Sequence, residues 1–133
     1  MDLKELCAKN LMQKEVKTVG ENTTLEAAAR MMRDYGVSSL VVERKNEKDA
    51  LGIITRKDVV EALFSDAIAG MQQVVEEVMT KPAITVPPGI SIYHCLQTMK
   101  MIGVRRIPVV DGNELVGILS NTDVFNCLVD NVS

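Results

Sequence analysis

Two stretches, GIITRKD at Gly52–Asp58 and GILSNTD at Gly117–Asp123, each close an apolar run with a hydroxyl residue followed three positions later by an aspartate. Two kinds of chemistry suit that spacing. Thr55 and Ser120 can cap a helix by accepting from the N3 backbone N–H, while Asp58 and Asp123 reach back to the cap residue, a variant of the capping box contributing about 1 kcal/mol. The same residues can also clamp a ligand, because a helix start presents free N–H groups and the positive end of a dipole to an anion. The two roles are compatible at a single turn.

Other site chemistries find little support. Cys7, Cys95 and Cys127 are an odd, widely spaced set without a CxxC pair, which reads as reduced thiols used as small apolar residues. His94 is the sole histidine, and its neighbour Cys95 points about 100° away on a helix, so no metal site is expected. One histidine without a nucleophile pattern gives no triad, and GxGxxG and GK[ST] phosphate loops are absent. No enzyme is expected.

A chain of 133 residues suits one domain or two small units sharing a core, and 47% hydrophobic with 25% charged residues describes an ordinary globular composition. A net charge of -3 with interspersed signs argues against nucleic acid as a partner, since phosphate binding needs a basic face. No apolar run approaches a bilayer span and the N-terminus carries no apolar signal region, which together point to a cytoplasmic protein with no membrane contact.

The hydroxyl–aspartate turns belong to a larger internal repeat. At an offset of 67, Met12–Glu43 falls on Met79–Val110 with identities at Met12, Lys14, Thr18, Val19, Met32, Gly36, Val37 and Val42. At an offset of 65, Gly52–Leu63 matches Gly117–Leu128, and the two-residue slip falls in KNEKD against DGNE, where a hairpin loop tolerates it.

Each copy reads as strand, helix, strand, strand, helix. Val16–Val19 and Ala83–Val86 are short extended runs. A helix follows, capped in copy one by Thr23 with Glu26, carrying an apolar stripe of Leu25, Ala28, Ala29, Met32 and Tyr35, and stopping at Gly36. Ile92, Cys95, Leu96, Met99 and Ile102 before Gly103 repeat the stripe in copy two. Strands at Ser39–Glu43 and Leu51–Thr55 then lead to a helix at Lys57–Phe64; copy two runs Arg106–Val110, an Asp-Gly turn, Leu115–Ser120 and Thr122–Val129. The expected organisation is an N-terminal segment at 1–10, repeats at 11–65 and 78–133, and a helical connector at 66–77 with Gly70 as its weak point.

LMQKEVKTV with VMTKPAITV, GVSSLVV with GVRRIPVV, and GIITRKD with GILSNTD together resemble the CBS (cystathionine β-synthase) domain pair, or Bateman module, from about Leu11 to Leu128. The resemblance implies an α+β fold in which two small sheets with packed helices are related by a pseudo-twofold axis. It also implies two clefts for an adenosine-containing ligand such as AMP, ADP, ATP or S-adenosylmethionine, with no cofactor required. Asp58 and Asp123 would then accept ribose hydroxyls, with Thr55 and Ser120 beside them.

Arg105 and Arg106 stand where copy one has Ser38 and Ser39, so phosphate recognition should differ between copies. Backbone around Val16 and Ala83 would line the adenine pocket, and Pro108, lacking an N–H inside its strand, would face a cleft or an edge. The expected function is a non-catalytic regulatory module that signals through dimer geometry, either within a homodimer formed by the repeat helices or to a separate effector protein. The alternative is a structural dimerisation module with vestigial clefts.

Overall fold

The computed structural model describes residues 3–64 and 66–131. It is an α+β chain that divides into two compact units: Lys17–Ala83, and the described residues up to Val16 together with those from Ile84 onward. The units are offset from the sequence repeats. Each contains the opening segment that the repeat assigns to the other copy.

In the Lys17–Ala83 unit, β1 (Thr18–Val19) lies parallel to β2 (Ser39–Val42), which pairs antiparallel with β3 (Gly52–Thr55) in the order β1-β2-β3. Helix α2 (Leu25–Tyr35) buries Leu25, Ala28 and Met32 in one core with Leu40, Val42, Ile54 and Val59. The i, i+3, i+7 spacing puts these residues on one face. Helix α3 (Arg56–Ala62) leaves the end of β3, and α4 (Ala67–Gln72) and α5 (Val75–Val78) follow. The connector is thus two short helices, and Val75 joins this unit's core.

The other unit holds α1 (Ala8–Leu11), α6 (Ile92–Ile102), the antiparallel pair β4 (Arg106–Asp111) and β5 (Glu114–Ser120), and α7 (Asn121–Asp130). Ile92, Cys95 and Met99, the counterparts of Leu25, Ala28 and Met32 at the 67-residue offset, are buried against Ile107, Val109 and Leu119. Burial raises the Cys95 thiol to about 11, which keeps it protonated as a core residue.

Several expectations need correction. The cap of α2 is Thr24, whose hydroxyl accepts from Ala27 N at 3.2 Å; Thr23 does not cap it, and Glu26 pairs with Arg30 at 2.9 Å. Ser91, opposite Thr24 in the repeat, caps α6 in the same way. Tyr35 is 52% exposed, with Lys17 Nζ 4.4 Å from its ring centroid, because the last turn of α2 has left the core. Gly70 is a buried close-approach point: a Cβ there would lie 2.7 Å from the Ala62 carbonyl oxygen.

Ala83–Val86 does not form a strand like β1. In copy one, Val41 N donates to Lys17 O at 3.1 Å and Glu43 N to Val19 O at 2.9 Å. In copy two, Val110 N still reaches Val86 O at 2.9 Å, but the residue aligned with Val41 is Pro108, which has no N–H for Ile84 O. Only an isolated Val86–Val109 bridge remains. Pro108 itself is fully buried, with Val86 donating to its carbonyl on one side and β5 on the other, so it sits neither at an exposed edge nor in an open groove.

An ion cluster closes the copy-one hairpin loop. Lys81 Nζ lies 2.6 Å from Glu21 Oε1 and 2.7 Å from Asp49 Oδ2, and Lys45 Nζ lies 3.2 Å from Glu21 Oε2. The backbone N–H of Lys45, then the Lys81 ammonium, hold the Asp49 carboxyl at about 2. The hydrogen bond from Lys81 likewise holds the buried Glu21 below the usual carboxylate range, against the opposing effect of its burial.

Candidate functional site

Both hydroxyl–aspartate turns are true capping boxes. Asp58 N donates to Thr55 Oγ1 at 3.2 Å and Thr55 N donates to Asp58 Oδ2 at 2.8 Å. Asp123 N donates to Ser120 Oγ at 3.1 Å, and Ser120 N donates to Asp123 Oδ2 at 3.0 Å. In each case the strand ends as the helix begins, so the cap residue is extended while its side chain turns over the first helical N–H groups.

Capping leaves different capacity in the two copies. Among the described residues, Asp58 Oδ1 accepts no hydrogen bond and the Thr55 hydroxyl donates none. Asp123 is more heavily engaged. Its Oδ2 also accepts from Ser120 Oγ at 2.9 Å, and its Oδ1 accepts from Gln13 Nε2 at 3.0 Å. All four side chains are half-buried, which keeps them reachable by a solute while limiting solvent screening.

Of the other expected site residues, the Lys17–Ala83 unit sets Ser38 and Ser39 beside the Thr55 turn, whereas Ala83 lies at the opposite end of β3. Ser39 is buried and pairs across the sheet with Thr55, and Ser38 O accepts from Arg56 N at 2.9 Å. Ser38 Oγ is buried without a hydrogen-bond partner, an orphan hydroxyl beside the capping box. Ala83 N donates to Leu51 O at 2.8 Å, just before β3.

The second unit places Arg106 opposite Ser120 across β4 and β5, and Arg105 O accepts from Asn121 N at 3.0 Å, matching Ser38 and Arg56. Arg105 is exposed and Arg106 half-buried. Val16 lies at the end of that unit's opening segment and is half-buried. Two residues escaped the sequence reading. Arg56, exposed and inside the copy-one turn, was hidden by its place between the hydroxyl and the aspartate that drew the reading. Gln13 was hidden because only the fold sets it beside Asp123.

These features define a protein built from a duplicated unit whose sheet ends in a hydroxyl-x-x-Asp turn. The CBS domain family matches the chain twice, over residues 8–65 and 75–130, and the chain belongs to that family. It is 32% identical over 115 residues to an uncharacterized protein of Methanopyrus kandleri, covering 85% of this chain and 58% of that one. It is 34% identical over 121 residues to inosine-5'-monophosphate dehydrogenase of Korarchaeum cryptofilum, covering 89% of this chain and 23% of the enzyme. The chain therefore spans only part of these relatives. The CBS domain-containing protein YhcV of Bacillus subtilis is 33% identical over 117 residues, with 87% of this chain and 81% of that one covered.

Among solved structures, a hexameric CBS-domain protein from bloom-forming cyanobacteria superposes with a TM-score of 0.86 at 28% identity, covering 96% of this chain and 75% of that one. The CBS domain pair of protein MJ0100, in complex with 5'-methylthioadenosine and S-adenosyl-L-methionine, superposes with a TM-score of 0.79 at 25% identity, covering 94% and 97%. CBS-domain pairs are regulatory modules. Among the described residues no helix is long and apolar enough to cross a membrane.

Proposed function

We propose that this chain is a non-catalytic regulatory module that binds an adenosine-containing small molecule on its hydroxyl-x-x-Asp turns. The observation that carries the reading is the open valence at Asp58. Its Oδ2 is held by the Thr55 backbone, which fixes the carboxylate, while Oδ1 and the Thr55 hydroxyl are uncommitted among the described residues. A fixed carboxylate with one free oxygen suits a vicinal diol, and charge-assisted bonds of this kind contribute about 1.5–3 kcal/mol each. The orphan Ser38 hydroxyl supplies a further polar atom in the same unit. The adenosine compounds bound by MJ0100 support the choice of ligand class.

Signal output would pass through assembly, as a homodimer or to a separate effector. Helical residues that remain exposed include Val60 at 48% in α3, and Met101 at 84%, Tyr93 at 62% and Phe125 at 62% in α6 and α7. A contact between chains would cover such exposed helical side chains, and closed twofold assembly is the commonest form it takes. The same surface favours the structural dimerisation reading, which thermal unfolding separates. AMP, ADP, ATP and S-adenosylmethionine are each added at rising concentration, with GMP and GTP as controls. A true ligand at 100 times its Kd stabilises by about 2.7 kcal/mol and raises Tm by several degrees. No shift with any adenosine compound would leave dimerisation as the function.

A further inference from the structure

We infer that Gln13 is a latch on the copy-two turn: its carboxamide occupies the oxygen of Asp123 that a ligand hydroxyl would take, making the Asp58 turn the primary adenosine site and the Asp123 turn a secondary one. This rests on the adenosine-binding reading and adds an order of occupancy to it.

The fold supplies its own control. Gln13 is clamped to β5 by two backbone bonds, Gln13 N to Ile118 O at 2.9 Å and Ile118 N to Gln13 O at 3.0 Å. The repeat sets Thr80 at the equivalent place, where Thr80 N reaches Ile53 O and Ile53 N reaches Thr80 O, both at 2.9 Å. The backbones are therefore in the same register beside the two turns, and only the side chains differ. The Gln13 amide reaches Asp123 Oδ1 at 3.0 Å, whereas the shorter Thr80 side chain makes no bond to Asp58 among the described residues.

A carboxylate offers about four lone-pair positions. Among the described residues, Asp123 has three of them filled, by Ser120 N, Ser120 Oγ and Gln13 Nε2, whereas Asp58 has one filled, by Thr55 N. The Ser120 proton is directed at Asp123, while the Thr55 proton is uncommitted. A ribose reaching Asp123 with both hydroxyls must first displace the Gln13 amide; at Asp58 there is no such competitor among the described residues. Gln13 is exposed, so the amide can swing into solvent without disturbing the core. Occupancy of the second turn then follows at higher ligand concentration.

The test uses the 133-residue chain in equilibrium dialysis with radiolabelled AMP, ATP and S-adenosylmethionine. Asp58→Asn and Asp123→Asn each disable one turn while keeping an oxygen to accept the cap bond. The copy-one turn, left intact in Asp123→Asn, should bind about three- to thirtyfold tighter than the copy-two turn left intact in Asp58→Asn. Adding Gln13→Thr to Asp58→Asn should recover about three- to tenfold, and Gln13→Ala should do the same, while neither changes Asp123→Asn. Circular dichroism melts confirm that each variant is folded. Binding that is unaffected or weakened by both Gln13 substitutions overturns the latch and leaves the adenosine reading standing. If no adenosine compound binds the wild type or any variant, the adenosine reading fails and the latch with it.

Discussion

At Asp58 the difference between a helix cap and a ligand clamp comes down to one oxygen. Oδ2 completes the box with Thr55, and Oδ1 accepts no hydrogen bond among the described residues. Asp58→Ala removes both and should cost about 1 kcal/mol of stability while weakening adenosine-nucleotide binding by roughly 10- to 100-fold. Asp58→Asn should keep the stability within about 0.5 kcal/mol yet still weaken binding, because the cap needs an acceptor and the clamp needs the charge. Chemical denaturation and calorimetry on the same samples separate the two effects. The arginines give a second residue-scale test: alanine at Arg105 and Arg106 together should weaken AMP binding but leave adenosine nearly unchanged, since only the phosphate loses partners. An equal loss for both ligands would make them structural. The turn residues were legible in sequence because cap and clamp ask for the same side chains at the same spacing. Gln13 was not, since its relation to Asp123 spans 110 positions and exists only once residue 13 is paired with Ile118.

Elements carry the repeat more faithfully than their boundaries do. Two repeat identities, Met12 with Met79 and Gly52 with Gly117, have a single cause. A Cβ on Gly52 would lie 2.9 Å from Met79 Sδ, and one on Gly117 would collide with Met12 Sδ, so each thioether lies directly over a glycine of a strand. Gly117→Ala should therefore destabilise by about 1–3 kcal/mol, read from the urea midpoint, and Met12→Ala in the same chain should relieve part of the clash. The pairing was not legible, because the alignment puts Met12 and Gly52 in one copy whereas the contact joins Met12 to Gly117. Helix caps show the limit of local reading. Thr23-Thr24 offers two hydroxyls, and the Glu26 three residues after Thr23 favoured the wrong one, although the alignment of Thr24 with Ser91 pointed to the right one. Thr24→Ala should cost about 1 kcal/mol in a thermal melt. Thr23→Ala should fall well below that. Pro108 was read as facing a cleft or an edge; it is buried, and the bond its missing N–H would make falls on the parallel side toward Ile84.

Charge and surface act on the molecule as a whole. Asp49 is held near 2 against an ordinary 3.8, and Glu21 is also lowered from 4.5, so both contribute stability that is present above those ordinary values and lost as pH falls through the folded ones. Unfolding midpoints should hold from pH 7 to about 5 and then decline toward about pH 2, more gently in Lys81→Met, which lacks the shared cation. A decline of equal steepness in the variant would remove the ion cluster from the account. Sedimentation velocity should show a homodimer at micromolar concentration, and Met101→Glu with Phe125→Glu should shift it toward monomer, since both residues are exposed and apolar. The central claim, that the hydroxyl-x-x-Asp turns hold an adenosine ligand, is met most directly by titrating AMP, ATP and S-adenosylmethionine calorimetrically into the wild type and into the Asp58→Asn, Asp123→Asn double variant. Saturable binding of at least one of them in the wild type, weakened by roughly a hundredfold or more in the folded double variant, is the predicted result. Equal affinity in both proteins, or no heat from any of the three with the wild type, would contradict it.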